Sequence, residues 1–186
     1  LIVHEMTDLL VLDLVEKGVM TDQMVLTIGY DIENLSNPEI YKKYRGEVTT
    51  DHYGRKVPKH AHGTVNLGKT TSSTKLITDA VLDLYDRIVN PDLLVRRVTI
   101  VANRLTQETE VHEAQNYEQL TLFTDYDALQ KEREEEKETL AKERRLQEAM
   151  LAVKKRYGKN AMLKGMNLQE GATAMERNNQ IGGHRA

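Results

Sequence analysis

Residues 130 to 139 contain no apolar side chain, and this run limits what the chain can fold into. Across 131 to 148 there are six basic and seven acidic side chains. Such a segment cannot form a hydrophobic core, so it predicts a solvated helix or a disordered tether. A coiled coil is disfavoured, because Leu129, Leu140 and Leu146 leave most seam positions polar. The run therefore separates a compact N-terminal part from a C-terminal extension.

The first 105 residues alternate between helical and strand periodicities. Val3, Met6, Leu10 and Leu14 recur at helical spacing, and the helix they predict stops near Gly18. Ser72 or Ser73 is suited to cap a second helix that runs to about Val89. The predicted elements in order are a helix over 1–17, a strand over 23–31, a long polar loop over 32–62, a strand over 63–67, a helix over 72–89 and a strand over 94–105.

This order predicts an α+β fold, in which two helices pack on one face of a small sheet of three to four strands. Strand alternation puts Val65 and Leu67 on one face, together with Val98, Ile100 and Ala102. The other face should stay open. Its predicted side chains are Thr64, Asn66, Arg97, Thr99 and Asn103.

Composition excludes several classes of protein. Only 39% of the residues are apolar and the chain has no cysteine, so disulfides and thiolate metal sites are excluded. No apolar run approaches the length of a membrane span, and no signal peptide is evident. We therefore expect a cytoplasmic protein without a membrane partner. The chain starts within a helical pattern without an N-cap, which indicates a fragment whose upstream part is missing.

Positive charge is concentrated between residues 42 and 75. Eight basic side chains face two acidic ones there, which gives 8 − 2 = +6 in a chain of net charge −3. Small and hydroxyl residues from Gly68 to Ser73 follow, next to a helix start, where free N–H groups bind phosphate well. The segment fits contacts to a nucleic-acid backbone. A solvated basic loop is an equally good interpretation of charge alone.

The residues that would support catalysis or metal binding do not form recognisable sets. His60 and His62 have no third ligand at a convincing spacing, which favours nucleic-acid contact or plain surface over a metal site. No nucleophile–base pair, P-loop or two-metal carboxylate set is visible. We expect no catalytic residue and no metal in this chain.

Residues 119 to 123, Gln-Leu-Thr-Leu-Phe, lie at the boundary before the charged run and include the only phenylalanine. They resemble the pentapeptide with which bacterial DNA polymerases and repair proteins hold the sliding clamp. The alternative is an edge strand, since Leu120, Thr121 and Leu122 alternate. The resemblance identifies Gln119, Leu120, Thr121, Leu122 and Phe123 as clamp-binding residues.

Together these stretches resemble the C-terminal region of Y-family translesion DNA polymerases of the UmuC/DinB group. The likeness lies in LIVHEMTDLLVLDLVEKGVMTDQMVLTIGYD, HGTVNLGKTTSSTKLITDAVLDLYDRIV, LLVRRVTIVANRL and YEQLTLF, and the tail is similar to UmuC-type ends of Gram-positive bacteria. It implies a little finger domain over 1–105 without its first strand, a linker with the clamp peptide over 106–124, a charged helical tether over 125–156 and a flexible tail over 157–186. The long loop departs from the compact DinB pattern.

The resemblance implies a part that grips primer–template DNA and tethers an error-prone polymerase to its clamp during translesion synthesis, DNA repair and the SOS response. The parent would be a DNA-directed DNA polymerase with Mg²⁺ in a palm absent here, and a UmuD-like subunit is a further possible partner. The expected DNA-binding residues are Lys59, His60, His62, Thr64, Asn66, Lys69, Thr70, Thr71, Ser72, Ser73, Arg96, Arg97, Thr99, Asn103 and Arg104. Two alternatives stay open: a clamp-binding nucleic-acid adaptor without a palm, and a protein–protein scaffold built on the charged helix.

Overall fold

A computed structural model describes residues 1–114, 126–181 and 184–185, with the main chain alone for 112–114, 126–129, 132, 181 and 184–185. The helices in this part are α1 (Ile2–Glu16), α2 (Glu33–Ser36), α3 (Pro38–Lys43), α4 (Thr74–Ile88), α5 (Glu108–Ala114), α6 (Tyr126–Tyr157), α7 (Ala174–Asn178) and a 3₁₀ helix (Gly165–Leu168). The strands are β1 (Val19–Tyr30), β2 (Val48–Thr50), β3 (Lys56–Pro58), β4 (Ala61–Thr71), β5 (Val95–Asn103), β6 (Thr106–Gln107), β7 (Gln180–Ile181) and β8 (His184–Arg185).

β1 is the central strand of a four-stranded antiparallel sheet. It pairs with β4 along one edge and with β5 along the other, and its first residues also pair with β6. Met24, Leu26 and Ile28 alternate along β1 and are fully buried, which is the period-two pattern of a strand with one covered face. The α+β prediction is thereby confirmed.

Helices α1 and α4 cover that buried face. Val11 and Leu14 of α1 join Ile77 and Val81 of α4 in one core with the apolar side chains of β1. Each nearly complete burial of such a side chain contributes about 1.5–3 kcal/mol. The two predicted helices thus provide the apolar layer that holds the sheet, and the opposite sheet face has neither helix on it.

Helix α4 begins after Ser73, one of the two serines that the sequence predicts as its N-cap. Ser73 has extended backbone dihedrals and its Oγ accepts a hydrogen bond from the N–H of Leu76 at 3.3 Å. A serine in this position satisfies one of the amide donors that the first turn leaves unpaired. The predicted strands on either side of α4 have the predicted inward and outward faces.

The region 32–62, predicted as one long loop, instead contains α2, α3 and a hairpin formed by β2 and β3. The Asn37 side chain accepts hydrogen bonds from the first amides of α3, and Pro38 occupies its first turn. The buried Asn34 amide is bonded to main-chain atoms of Asp31 and Leu94, which ties α2 to the start of β5. Buried polar anchoring of this kind has no hydrophobic periodicity, which is why the sequence pattern predicts a loop.

The segment 106–124, predicted as a linker, is ordered in its described part. β6 pairs with β1, so that Val19 lies opposite Gln107, and the N–H of Glu108 donates to the Gly18 carbonyl at 3.0 Å. The chain therefore stays attached to the sheet up to α5. Two residues of strand are too short to give an alternation signal.

Helix α6 does not extend away from the domain as a tether would. Its inner side carries the buried residues Gln147 and Met150. The Gln147 amide donates to the Ser72 carbonyl at 2.9 Å and to the Thr74 hydroxyl at 2.9 Å. The second half of α6 is therefore docked on the first turn of α4, whereas residues 133–139 are exposed.

The tail also differs from the predicted flexible segment, because its described part is anchored on α1. Glu5 is 1% exposed. Its carboxylate accepts hydrogen bonds from the Asn167 amide, the Thr173 N–H and the Arg177 guanidinium at 3.0, 3.0 and 3.1 Å. A buried carboxylate needs such partners, so the tail completes the surroundings of a residue near the start of the chain.

Candidate nucleic-acid interface

The open face of the sheet consists of transverse rows of side chains across β4, β1 and β5. Strand register sets the rows: Gln23 lies opposite Asn66 and Asn103, Val25 opposite Thr64 and Val101, and Thr27 opposite His62 and Thr99. All five residues predicted for this face are on it, and His62 joins them. We call this surface the open face: Gln23, Val25, Thr27, Gly29, His62, Thr64, Asn66, Arg97, Thr99, Val101 and Asn103.

Hydrogen bonds within the rows orient the polar groups of the open face. The Gln23 amide donates to Asn66 Oδ1 at 2.9 Å and accepts from the Asn103 amide at 3.3 Å. In the next polar row, the Thr27 hydroxyl and His62 Nδ1 are 2.9 Å apart. Each of these side chains keeps further donor or acceptor capacity for a bound molecule.

Arg97 stands at one end of the open face, opposite Gly29. It is exposed, and among the described residues it has no ion-pair partner. Gly29 has no side chain, and a Cβ placed there would come within 3.4 Å of the Arg97 Cβ. The glycine thus leaves the strand without a side chain beside Arg97, and a Cβ there would already contact the Arg97 side chain.

Three other predicted cations lie at the rim of the open face, and each has an acidic partner. Arg96 pairs with Asp31 at 3.0 Å, Lys59 with Glu47 at 2.7 Å, and Arg104 with Asp22 at 3.7 Å. The hydrogen bond to Glu47 raises the pKa of Lys59. The pKa of Asp31 is lowered, mainly by the hydrogen bond from the Glu33 N–H and also by the one from Arg96. Exposed pairs of this kind are weak, so phosphates can replace these carboxylates.

The N-terminus of α4, predicted to bind phosphate, is covered by a carboxylate of the same chain. Glu143 accepts hydrogen bonds from the Ser73 hydroxyl at 2.7 Å and from the Lys75 N–H at 3.1 Å. Thr71, Ser72 and Ser73 are 5–7% exposed. The structure therefore separates these three residues from the open face, although they were predicted to contact DNA.

Lys69 and Thr70 precede these three residues at the same end of β4. The Lys69 ammonium forms an ion pair with Glu136 of α6. Thr70 is half-buried near the end of β4. Of the fifteen predicted DNA-binding residues, Lys69, Ser72 and Ser73 contact α6 and Thr70 and Thr71 lie between them in the chain, whereas the others lie on the open face or its rim.

The β2–β3 hairpin and one end of the open face form a groove between them. The sequence analysis did not predict this groove. The groove has a volume of about 650 Å³. Its sheet side includes Thr27, Gly29, Arg97 and Thr99, and its hairpin side includes Tyr53. We call it the hairpin groove. Its other lining residues are Tyr30, Ile32, Thr49, Thr50, Asp51, His52, Arg55, Val57, Pro58, His60 and Arg96.

The tip of the hairpin is held rigidly by Asp51. One carboxylate oxygen accepts from the N–H groups of Tyr53 and Arg55, both at 2.9 Å, and the other accepts from Arg55 Nε at 2.8 Å. The Arg55 side chain is the main cause of a lowered Asp51 pKa, and Asp51 in turn raises the pKa of Arg55. Gly54 has φ +78°, which completes the turn.

His60 lines the groove and His62 lies next to it on the open face, with ring centroids 6.5 Å apart. Within residues 1–114, 126–181 and 184–185, no three His, Cys, Asp or Glu side chains come together as a metal site. The described helices also include none with the length and apolar character needed to cross a membrane. The chemistry offered by this surface is hydrogen bonding, cationic contact and aromatic contact.

Gln119, Leu120, Thr121, Leu122 and Phe123 lie outside the described residues, so the clamp-binding prediction stays a prediction. Comparisons with family models, with curated proteins and with solved structures found no match for this chain. The function is therefore argued from the geometry of the open face and from the sequence motifs.

Proposed function

We propose that the chain is the DNA-gripping and clamp-tethering part of an error-prone Y-family polymerase that acts in translesion synthesis and repair. One observation carries the proposal: a three-stranded polar face opposite the helix layer, with Arg97 exposed and unpaired among the described residues. Such a face matches the duplex-following sheet that the sequence resemblance implies.

The open face supplies donors and the rim supplies charge. Amides and hydroxyls such as those of Asn66, Thr64 and Thr99 hold a phosphate backbone without reading sequence. Arg96, Arg104 and Lys59 exchange their exposed carboxylate partners for phosphates, and the released counterions favour binding. The phosphate sites of this proposal are therefore on the face and its rim, and not at the N-terminus of α4.

The clamp contact belongs to the same proposal. Residues 119–123 follow α5 and precede α6 in the sequence, so the peptide is attached next to the DNA-binding domain. A weak peptide suffices in that position, because DNA and clamp together make the second contact intramolecular.

The proposal extends to a parent polymerase in the cytoplasm, which would use Mg²⁺ in its palm and could recruit a UmuD-like subunit. The proposal assigns the catalytic steps to that palm. A clamp-binding adaptor without a palm remains the alternative. The reading frame upstream of Leu1 distinguishes the two, since a palm with paired acidic residues supports the polymerase.

Fluorescence anisotropy with a labelled duplex, titrated over a range of salt, tests the proposal. For about four to six phosphate contacts, the log–log slope should be about −4 to −5. Arg97→Ala should reduce that slope by about 0.9 and leave sequence preference unchanged. Arg87→Ala is the matched control, because Arg87 is exposed on α4, on the helix side of the sheet. A slope near zero, or equal effects of the two variants, would contradict the proposal.

A further inference from the structure

We infer that the hairpin groove binds an unpaired nucleotide of a DNA strand, next to the duplex on the open face. This inference rests on the proposed function, because it uses one end of the same face. It deepens that function by assigning to the hairpin groove the unpaired strand at a junction between double- and single-stranded DNA. The inference depends on Tyr53, on the turn that holds it and on the cations opposite.

Tyr53 is unusually exposed for an aromatic side chain, at 78%. It stands at the hairpin tip, with the Arg55 guanidinium carbon 5.0 Å from its ring centroid and the His52 ring centroid 5.5 Å away. Most of the ring surface is therefore available for contact with a bound molecule. Aromatic rings of this kind provide stacking platforms for unpaired bases.

The hairpin tip is preorganised. Asp51 bonds the amides of Tyr53 and Arg55, and the Asp51 N–H donates to the Arg55 carbonyl at 2.9 Å. The turn therefore keeps the Tyr53 backbone in place before any ligand arrives. Less conformational entropy is lost when a base stacks on a side chain whose backbone is already held.

The sheet side of the groove supplies room and charge. Gly29 leaves the floor without a side chain, and Arg97 beside it is exposed and unpaired among the described residues. The groove volume of about 650 Å³ is within the range of small-molecule sites. A base stacked on Tyr53 thus has a guanidinium nearby for its phosphate, and this combination of ring and cation is how single strands are held.

Anisotropy with three DNA probes tests the inference. The probes are a blunt duplex, the same duplex with a single-stranded thymidine overhang, and the thymidine strand alone. We expect wild-type protein to bind the overhang duplex about tenfold more tightly than the blunt one, the effect of one stacked base. Tyr53→Ala should remove that difference and leave blunt-duplex affinity within about twofold, whereas Tyr53→Trp should retain it.

Tyr157→Ala is the matched control. Tyr157 is 66% exposed, and the Arg156 guanidinium carbon is 5.2 Å from its ring centroid, which reproduces the Tyr53–Arg55 pair at the far end of α6. This variant should keep the overhang preference. Far-UV circular dichroism of both alanine variants verifies that the fold is intact.

The outcomes separate the two claims. Equal affinity of wild-type protein for blunt and overhang duplex, or an overhang preference that Tyr53→Ala retains, overturns the inference and leaves the proposed function standing. Binding of the thymidine strand without duplex binding, sensitive to Tyr53, overturns the proposed duplex grip and retains the groove. Absence of binding to all three probes overturns both.

Discussion

Glu143 accepts a hydrogen bond from the hydroxyl of Ser73 at 2.7 Å, although 70 residues separate the two in the chain. The same carboxylate accepts from the Lys75 N–H, so a negative group stands at the N-terminus of α4. This is the charge that a helix N-terminus favours. The sequence predicts a DNA phosphate at this helix N-terminus. In the structure a carboxylate of α6 occupies that position instead.

Removing the charge of Glu143 should loosen α6. We expect Glu143→Gln to reduce the free energy of unfolding by about 0.3–1 kcal/mol, since a helix N-terminus loses its anion. Chemical denaturation measures this. Glu138→Gln is the control, because Glu138 forms an exposed ion pair with Lys142 of the same helix. An equal loss of stability in both variants would contradict a specific role of Glu143.

The buried Glu5 should make stability depend on pH. Burial raises its pKa, but the hydrogen bonds from Asn167 and Thr173 and the charge of Arg177 outweigh burial, so the pKa is below the ordinary 4.5. A carboxyl with a lowered pKa contributes stability that is present above pH 4.5 and is lost as the pH falls through its folded-state value. Denaturation curves between pH 7 and pH 3 should show this loss, and Glu5→Gln should flatten it.

Truncating Glu5 should also detach the tail. Glu5→Ala leaves the half-buried Arg177 without its carboxylate, which costs up to about 3 kcal/mol. Hydrogen exchange should then accelerate across 165–178. Glu16→Ala, at an exposed position of the same helix, should leave exchange in the tail unchanged. Slow exchange in the tail of Glu5→Ala would show that other contacts hold it.

Helix α6 should exchange amide hydrogens unevenly. Residues 133–139 are exposed, whereas Gln147 and Met150 are buried against the domain. We expect fast exchange in the first half and protection across 147–153 close to that of α4. Uniformly fast exchange over the whole helix would contradict its docking, and protection that rises with protein concentration would indicate a helical dimer.

Binding of residues 119–123 to the sliding clamp stays a prediction, and a double substitution tests it. Burying Leu120, Leu122 and Phe123 contributes about 1.5–3 kcal/mol each. Association costs at least about 4 kcal/mol, so the isolated peptide should bind no more tightly than micromolar. Leu122→Ala with Phe123→Ala should abolish clamp binding and leave duplex binding and the thermal midpoint unchanged. A lowered midpoint with clamp binding intact would indicate core residues instead.

The sequence alone determined the central sheet layer. Apolar residues recur at period two in β5 and at helical spacing in α4, so burial against a common core follows from the pattern. That pattern also placed Thr64, Asn66, Arg97, Thr99 and Asn103 together on the open face. Hydrophobic burial is non-directional, and its periodicity is therefore visible without knowledge of the partner.

Only the tertiary structure decided how α6, the tail and the hairpin pack. The inward stripe of α6 includes Glu143, Arg144 and Gln147, and the tail docks on Glu5. These are polar residues whose burial depends on particular partners: Ser73 for Glu143, Glu108 for Arg144 and the Ser72 carbonyl for Gln147. A hydrogen bond needs a matched group at a fixed distance and angle, and no periodicity in the sequence announces a partner 70 residues away. For that reason the charged run predicts a tether, whereas the structure shows a helix docked on the domain.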